Sequence, residues 1–140
     1  MGRPKARELT ERELQLMHEF WNRPGTMMTA ADLRDALESS GLILAYTTVA
    51  TLVRILTDKG FLVQENEERP FRYKPARSYE EVSRRMLGEV LDRVFRGSRE
   101  QLLVRLVEQT SLSGKERQRL REILDETTSS PKPDAKKENR

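Results

Sequence analysis

The chain has 140 residues, 36% hydrophobic, 35% charged and 6% aromatic, with no cysteine and a single histidine, His18. Disulfides, thiolate metal sites and a cysteine nucleophile are therefore excluded, and a histidine-rich metal site has no material. The net charge of +3 is thinly spread: residues 1–77 carry 12 Lys/Arg against 11 Asp/Glu, residues 78–126 carry 10 against 10, and residues 127–140 carry 4 against 2. A nucleic-acid partner must therefore be argued from where the basic residues sit, not from their number. This length suits one ordinary domain or two small ones. A core this thin gains from burial against a second copy. No apolar run approaches the roughly 18 residues of a membrane span. Met1-Gly2-Arg3-Pro4-Lys5 has no apolar stretch behind it, as a secretory signal would. A soluble, cytoplasmic protein without membrane insertion or cofactor is expected.

Helix starts are legible from reciprocal caps, a Ser or Thr followed three residues later by an acid or Gln. The pattern occurs at Thr10 and Glu13, Thr29 and Asp32, Ser78 and Glu81, Ser98 and Gln101, and Ser113 and Glu116. The spacing predicts a first helix over about Glu11–Asn22, with Leu14, Met17 and Trp21 on one face and Leu16 and Phe20 beside it. It ends at the turn signal Arg23-Pro24-Gly25. A second helix covers about Ala30–Ser39, and a third runs from near Tyr46 to Lys59, with Gly60 as the left-handed cap. The period then changes. Phe61–Gln64 and Phe71–Lys74 read as two short strands around a polar connector, and Pro70 suits a strand start.

From Ser78 the chain is helical again, with Val82, Met86, Val90 and Val94 every four residues, joined by Leu87, Leu91 and Phe95. Gly97-Ser98 breaks this helix. A short apolar piece follows with Leu102, Leu103, Leu106 and Val107, and a last helix with Leu120, Ile123 and Leu124. The expected organisation is a flexible basic arm over 1–8, a winged-helix domain over 9–76, a helical dimerisation domain over 77–126 and a disordered tail over 127–140. The fold class is thus mainly α with a small β-hairpin, a winged helix-turn-helix followed by three dimerisation helices. Those helices have little else to pack on, so Val82, Met86, Leu87, Val90, Leu91, Val94, Leu102, Leu106, Leu120, Ile123 and Leu124 are assigned to a homodimer interface.

The third helix carries the functional argument. At ~100° per residue from Val49, Leu52, Val53 and Leu56 fall within about 60° of it, on the core side. Thr47, Thr51, Arg54 and Asp58 cluster opposite, near 140–200°, with Thr48 at the flank. Small hydroxyl residues let a helix sit deep in the major groove. Threonine meets phosphate or a thymine methyl, and arginine takes guanine or phosphate. Arg69, Arg72 and Lys74 surround the hairpin where a wing meets the phosphate backbone, although Glu65, Glu67 and Glu68 crowd its tip. The acidic runs Glu80-Glu81 and Glu65–Glu68 sit where exposure is expected. No phosphate-cradling glycine loop or paired nucleophile is present, so no enzyme is expected. Gly2-Arg3-Pro4 resembles a minor-groove arm but reads first as a charged terminus. His18 reads as a structural residue and Trp21 as core.

Ala45-Tyr46-Thr47-Thr48-Val49, Lys59-Gly60, the spaced Arg69, Phe71, Tyr73 and Pro75, and Leu9-Thr10-Glu11-Arg12-Glu13-Leu14 with Trp21 resemble the BlaI/MecI family of bacterial repressors. Leu91–Ser98 resembles the family's dimerisation region, so the likeness covers about Leu9 to Glu126. The resemblance implies a homodimer on a dyad-symmetric double-stranded DNA operator, with Thr47, Thr48, Ala50, Thr51 and Arg54 as the reading set and Arg69 and Arg72 at the wing. It also implies release by a membrane-bound sensor protease that cuts in the dimerisation region. Well-known members are cut at an Asn-Phe bond, whereas the matching bond here is Arg105-Leu106. The cysteine pairs of related copper-responsive repressors are missing. On residues alone two alternatives stay open, a ligand-sensing winged-helix regulator and a winged-helix protein-interaction module without DNA binding.

Overall fold

The computed structural model describes residues 8–109 and 111–129, so Gly2-Arg3-Pro4 and most of the expected tail lie outside the described residues. Among those described, the order is α1 (Glu11–Trp21), α2 (Ala30–Ser39), α3 (Tyr46–Lys59), β1 (Leu62–Gln64), β2 (Tyr73–Pro75), α4 (Tyr79–Arg93), α5 (Arg99–Gln109) and α6 (Gly114–Ser129). This is the winged helix-turn-helix order followed by helices. The last helix reaches Ser129, past the expected start of the tail at 127.

The caps form where the spacing put them. Thr10 with Glu13 and Thr29 with Asp32 are full capping boxes, and so is Ser113 with Glu116. Ser78 and Ser98 accept the Glu81 and Gln101 amides. The Glu81 carboxylate instead meets Arg77 at 3.1 Å. Gly60 ends α3 at φ 90°, a left-handed conformation that glycine adopts without the cost a side chain adds.

Leu16, Met17 and Phe20 of α1, Leu33 and Leu37 of α2, and Val49, Val53 and Leu56 of α3 interlock in one core with Leu62 of β1. Fully burying each such side chain contributes about 1.5–3 kcal/mol. Trp21 is half-buried at the edge of this core, where its indole N–H donates to the Arg77 carbonyl at 3.0 Å. Exposed His18 lies against Trp21 and Tyr79, with ring centroids 5.5 and 6.1 Å away.

The strands pair antiparallel, Leu62 with Pro75, Val63 with Lys74 and Gln64 with Tyr73. Phe61 and Phe71 stay outside the ladder. A third segment joins, because Met28 and Tyr73 exchange both backbone hydrogen bonds at 3.0 and 2.9 Å. The hairpin is therefore tied to the segment before α2.

The chain divides into two compact units between Leu87 and Gly88, inside α4 and beyond the expected junction at 76/77. This corrects one assignment. Val82 was placed in the dimer face by its four-residue spacing, but it is 5% exposed and packs in the winged-helix core. A helical stripe reports that a face is buried, not against what, and here its first member turns inward.

Two carboxylates are buried with the core, and periodicity flagged neither. Glu19 accepts from Arg23 at 2.7 Å and from the Ser40 hydroxyl at 2.8 Å. Glu13 accepts from Lys59 Nζ at 2.8 Å, clamping the start of α1 to the end of α3. Burial pushes the Glu13 carboxyl up, but the Lys59 hydrogen bond and charge, with the Thr10 amide, outweigh it and the net shift is downward. A carboxyl lowered in the fold contributes stability above its ordinary value of 4.5, and loses it as pH falls through the lowered value. Lys59→Met removes the cation and leaves a buried charge, so a loss of about 3 kcal/mol is expected at neutral pH. Urea midpoints above and below pH 4.5 test this. The wild type should lose stability on the acid side, and in the variant that dependence should shrink or reverse, because burial is then opposed only by the Thr10 hydrogen bonds.

Candidate nucleic-acid interface

The face of α3 opposite its core side is open. Val49, Val53 and Leu56 are buried, while Thr47, Thr48, Thr51, Arg54 and Asp58 are exposed. The helix starts at Ala45, which supplies no side-chain cap. Ala50 differs from the rest of the expected reading set, being half-buried against the core. Tyr46, in the first turn, is 49% exposed and has the Arg34 guanidinium 5.9 Å from its ring centre. Spacing gave Tyr46 no role, although an exposed aromatic at a helix start is the signal that marks it.

Beside this face runs a groove between α3 and the wing. Tyr46, Ala50, Arg54 and Asp58 line one wall, and Gln64, Arg69, Phe71 and Tyr73 the other. Arg54 of the helix and Arg69 of the wing therefore border the same channel. The Arg69 guanidinium rests over the Phe71 ring at 5.2 Å, which gives a long, exposed side chain a preferred place. Burial raises the Tyr73 phenol above its usual range, nearby Tyr46 adds to this, and Arg69 opposes it. Tyr73 is thus neutral and puts no negative charge in the channel at physiological pH.

Arg72 is exposed on the wing outside the groove. Lys74 is partly neutralised by Glu65 at 3.4 Å. The wing tip is organised by Asn66, which sequence reasoning passed over: its carboxamide bonds the backbone at Glu68, Pro70 and Arg72. Its signal was only an Asn in an acidic turn, too common to read alone.

In the second unit and the part of α4 leading to it, apolar side chains face outward. Met86 is 38% exposed, Leu87 55%, Val90 43% and Val94 66%, with Leu106 at 51% and Leu124 at 58%. Leu120 and Ile123 are also exposed, and Leu91 and Leu102 are half-buried. No residue of α5 is buried. Arg105 and Leu106 are both exposed, inside α5 rather than in a loop, and Arg105 meets Glu108 at 3.6 Å.

Among the described residues no helix is long and apolar enough to cross a membrane, and no group of three or more metal-ligating His, Cys, Asp or Glu side chains comes together. In structure, the chain has a partial likeness to the ferric uptake regulator from Pseudomonas aeruginosa with manganese, at a TM-score of 0.46 and 21% identity over 54% of this chain and 57% of that one. In sequence, it is 31% identical over 105 residues to the transcriptional regulator BlaI from two strains of Mycobacterium tuberculosis, covering 74% of this chain and 75% of the relative. The penicillinase repressor family profile matches residues 9–126. With its winged-helix order and that match over nearly all the described chain, the protein belongs to the penicillinase repressor family of transcriptional regulators.

Proposed function

We propose that the protein is a sequence-specific repressor that binds double-stranded DNA as a homodimer on a dyad-symmetric operator. The observation that carries this reading is the open α3 face of Thr47, Thr48, Thr51 and Arg54, bordered by a channel whose far wall holds Arg69. A helix face of small hydroxyls and one arginine suits base edges in a major groove. Arginines on an adjacent wing suit the phosphates beside it.

The homodimer is supported by the second unit's exposed apolar side chains. An 11-residue helix with no buried residue lacks the packing that normally holds a helix in water. Met86, Leu87, Val90, Leu91, Val94, Leu102, Leu106, Leu120, Ile123 and Leu124 make up the proposed interface. Two copies would place two recognition helices on successive major grooves about one helical turn apart.

A membrane-bound sensor protease that ended repression by cutting in the dimerisation region would meet Arg105-Leu106 where well-known members have an Asn-Phe bond. Both residues are exposed in the single chain, but Leu106 belongs to the proposed interface and proteolysis needs an extended backbone, so the dimer face and α5 must open locally before the bond can be cut.

The test is selection of fragmented genomic DNA on the purified protein, followed by sequencing and a salt titration on the best fragment. A short inverted repeat with steep salt dependence is expected. Fragments no better than random, even at low salt, would favour a protein-interaction module instead. Arg72→Ala should weaken operator and scrambled duplex about equally and make the salt slope shallower by about one. A change confined to the operator would place Arg72 at a base edge instead.

A further inference from the structure

We propose that Asn66 is the positioning residue of the wing, holding the turn over residues 66–72 in the shape that presents Arg69 and Arg72 to the phosphate backbone. The inference rests on the DNA-binding reading above and names the residue through which two of its contacts are made effective.

The hairpin's backbone pairing reaches the bond from Glu65 N–H to the Arg72 carbonyl, at 2.8 Å. Beyond it, one side chain gathers the turn. Asn66 Nδ2 donates to the Glu68 carbonyl at 2.9 Å and the Pro70 carbonyl at 3.1 Å. Its Oδ1 accepts the Arg72 amide at 2.7 Å. The Asn66 backbone carbonyl accepts from Gln64 Nε2 at 2.8 Å, which ties the backbone at Asn66 to the end of β1.

These bonds fall around the two arginines. The carbonyls taken by Nδ2 stand on either side of Arg69, and the amide taken by Oδ1 is that of Arg72. Glu65, Glu67, Glu68, Arg69, Pro70 and Arg72 are exposed, and besides Asn66 itself only Phe71 of the turn is half-buried, under the Arg69 guanidinium.

The chemistry calls for an asparagine. The site needs two donors and one acceptor in one plane at short reach. Aspartate would turn a carboxylate toward two carbonyl oxygens, and alanine would supply neither group. The turn also carries Glu67 and Glu68. In a loose turn these acids would approach phosphate as freely as the arginines do, and both arginines would have to be ordered on binding. Ordering a long side chain at an interface costs conformational entropy, so a preformed turn favours association.

The experiment uses the full chain, a duplex carrying the inverted repeat recovered in the genomic selection, and a scrambled duplex, with fluorescence anisotropy across a salt series. Asn66→Ala should weaken repeat binding about tenfold, the cost of ordering two arginines. Its salt slope should move toward that of an Arg69→Ala/Arg72→Ala double variant. Adding Asn66→Ala to that double variant should change nothing further, because the side chain acts through the arginines. The thermal midpoint should stay at the wild-type value, and exchange of the Arg72 amide should accelerate. Wild-type affinity and slope in Asn66→Ala would overturn the proposal. So would an equal loss in the arginine-free background. Failure of the wild-type chain to bind any duplex would remove the DNA reading and this inference with it, a result distinct from both.

Discussion

A Val90→Asp variant is expected to sediment as a monomer at concentrations where the parent chain is a dimer, and to lose operator affinity by about 10²–10⁴-fold, the advantage that joining two half-site contacts supplies. Val90 is 43% exposed on α4 and lies outside the winged-helix core, so the substitution leaves that core intact. In the proposed dimer the new carboxylate would be taken out of water among Val94, Leu91 and their counterparts, where an unpaired charge is costly. Analytical ultracentrifugation and operator titration should move together. A dimer that persists with full operator affinity would show that the α4 face is not the interface.

The second large effect concerns reading. Arg54→Ala is expected to cost about 1–3 kcal/mol on the operator while leaving scrambled duplex much less affected, because a bidentate arginine–guanine contact discriminates by about that much. Thr51→Ala should act in the same direction with a smaller effect, since a lost methyl or hydroxyl contact is weaker. Both residues are exposed on α3, and neither fills the core, so thermal stability should be unchanged. Competition binding with operator duplexes changed one base pair at a time checks this. Relaxed discrimination at one position locates the base that Arg54 meets. Unchanged operator affinity in Arg54→Ala would mean that α3 is not the recognition helix.

These two predictions rest on different kinds of sequence information. The outward face of α3 was legible because one helix repeats every 3.6 residues, so Val49, Val53 and Leu56 must turn away from Thr47, Thr51 and Arg54 whatever surrounds them. The helix starts at Thr10, Thr29 and Ser113 were legible for a similar reason, since a cap is made within four residues. Gly60 closed α3 as expected because a left-handed cap is a local backbone need.

Other features depend on how the chain packs or turns back on itself, and spacing cannot report them. Glu13 and Lys59 are 46 residues apart, yet their ion pair joins α1 to α3. Met28 pairs with Tyr73 across the whole helix-turn-helix and anchors the wing. Val82 obeys the same four-residue spacing as Val90, but α4 passes from one compact unit to the next, and only packing decides which surface each residue meets. Asn66 is ordinary in sequence and becomes the hub of the wing only because the turn brings two carbonyls and an amide into its plane.

Local periodicity and capping thus determined the winged-helix order, the outward face of α3 and the apolar stripes of the last three helices. These follow from backbone geometry that repeats within a turn or two. Tertiary structure alone decided where the first unit ends, that Lys59 neutralises the buried Glu13 and that Met28 ties the hairpin to the segment before α2. Each of those outcomes depends on which distant groups folding brings together.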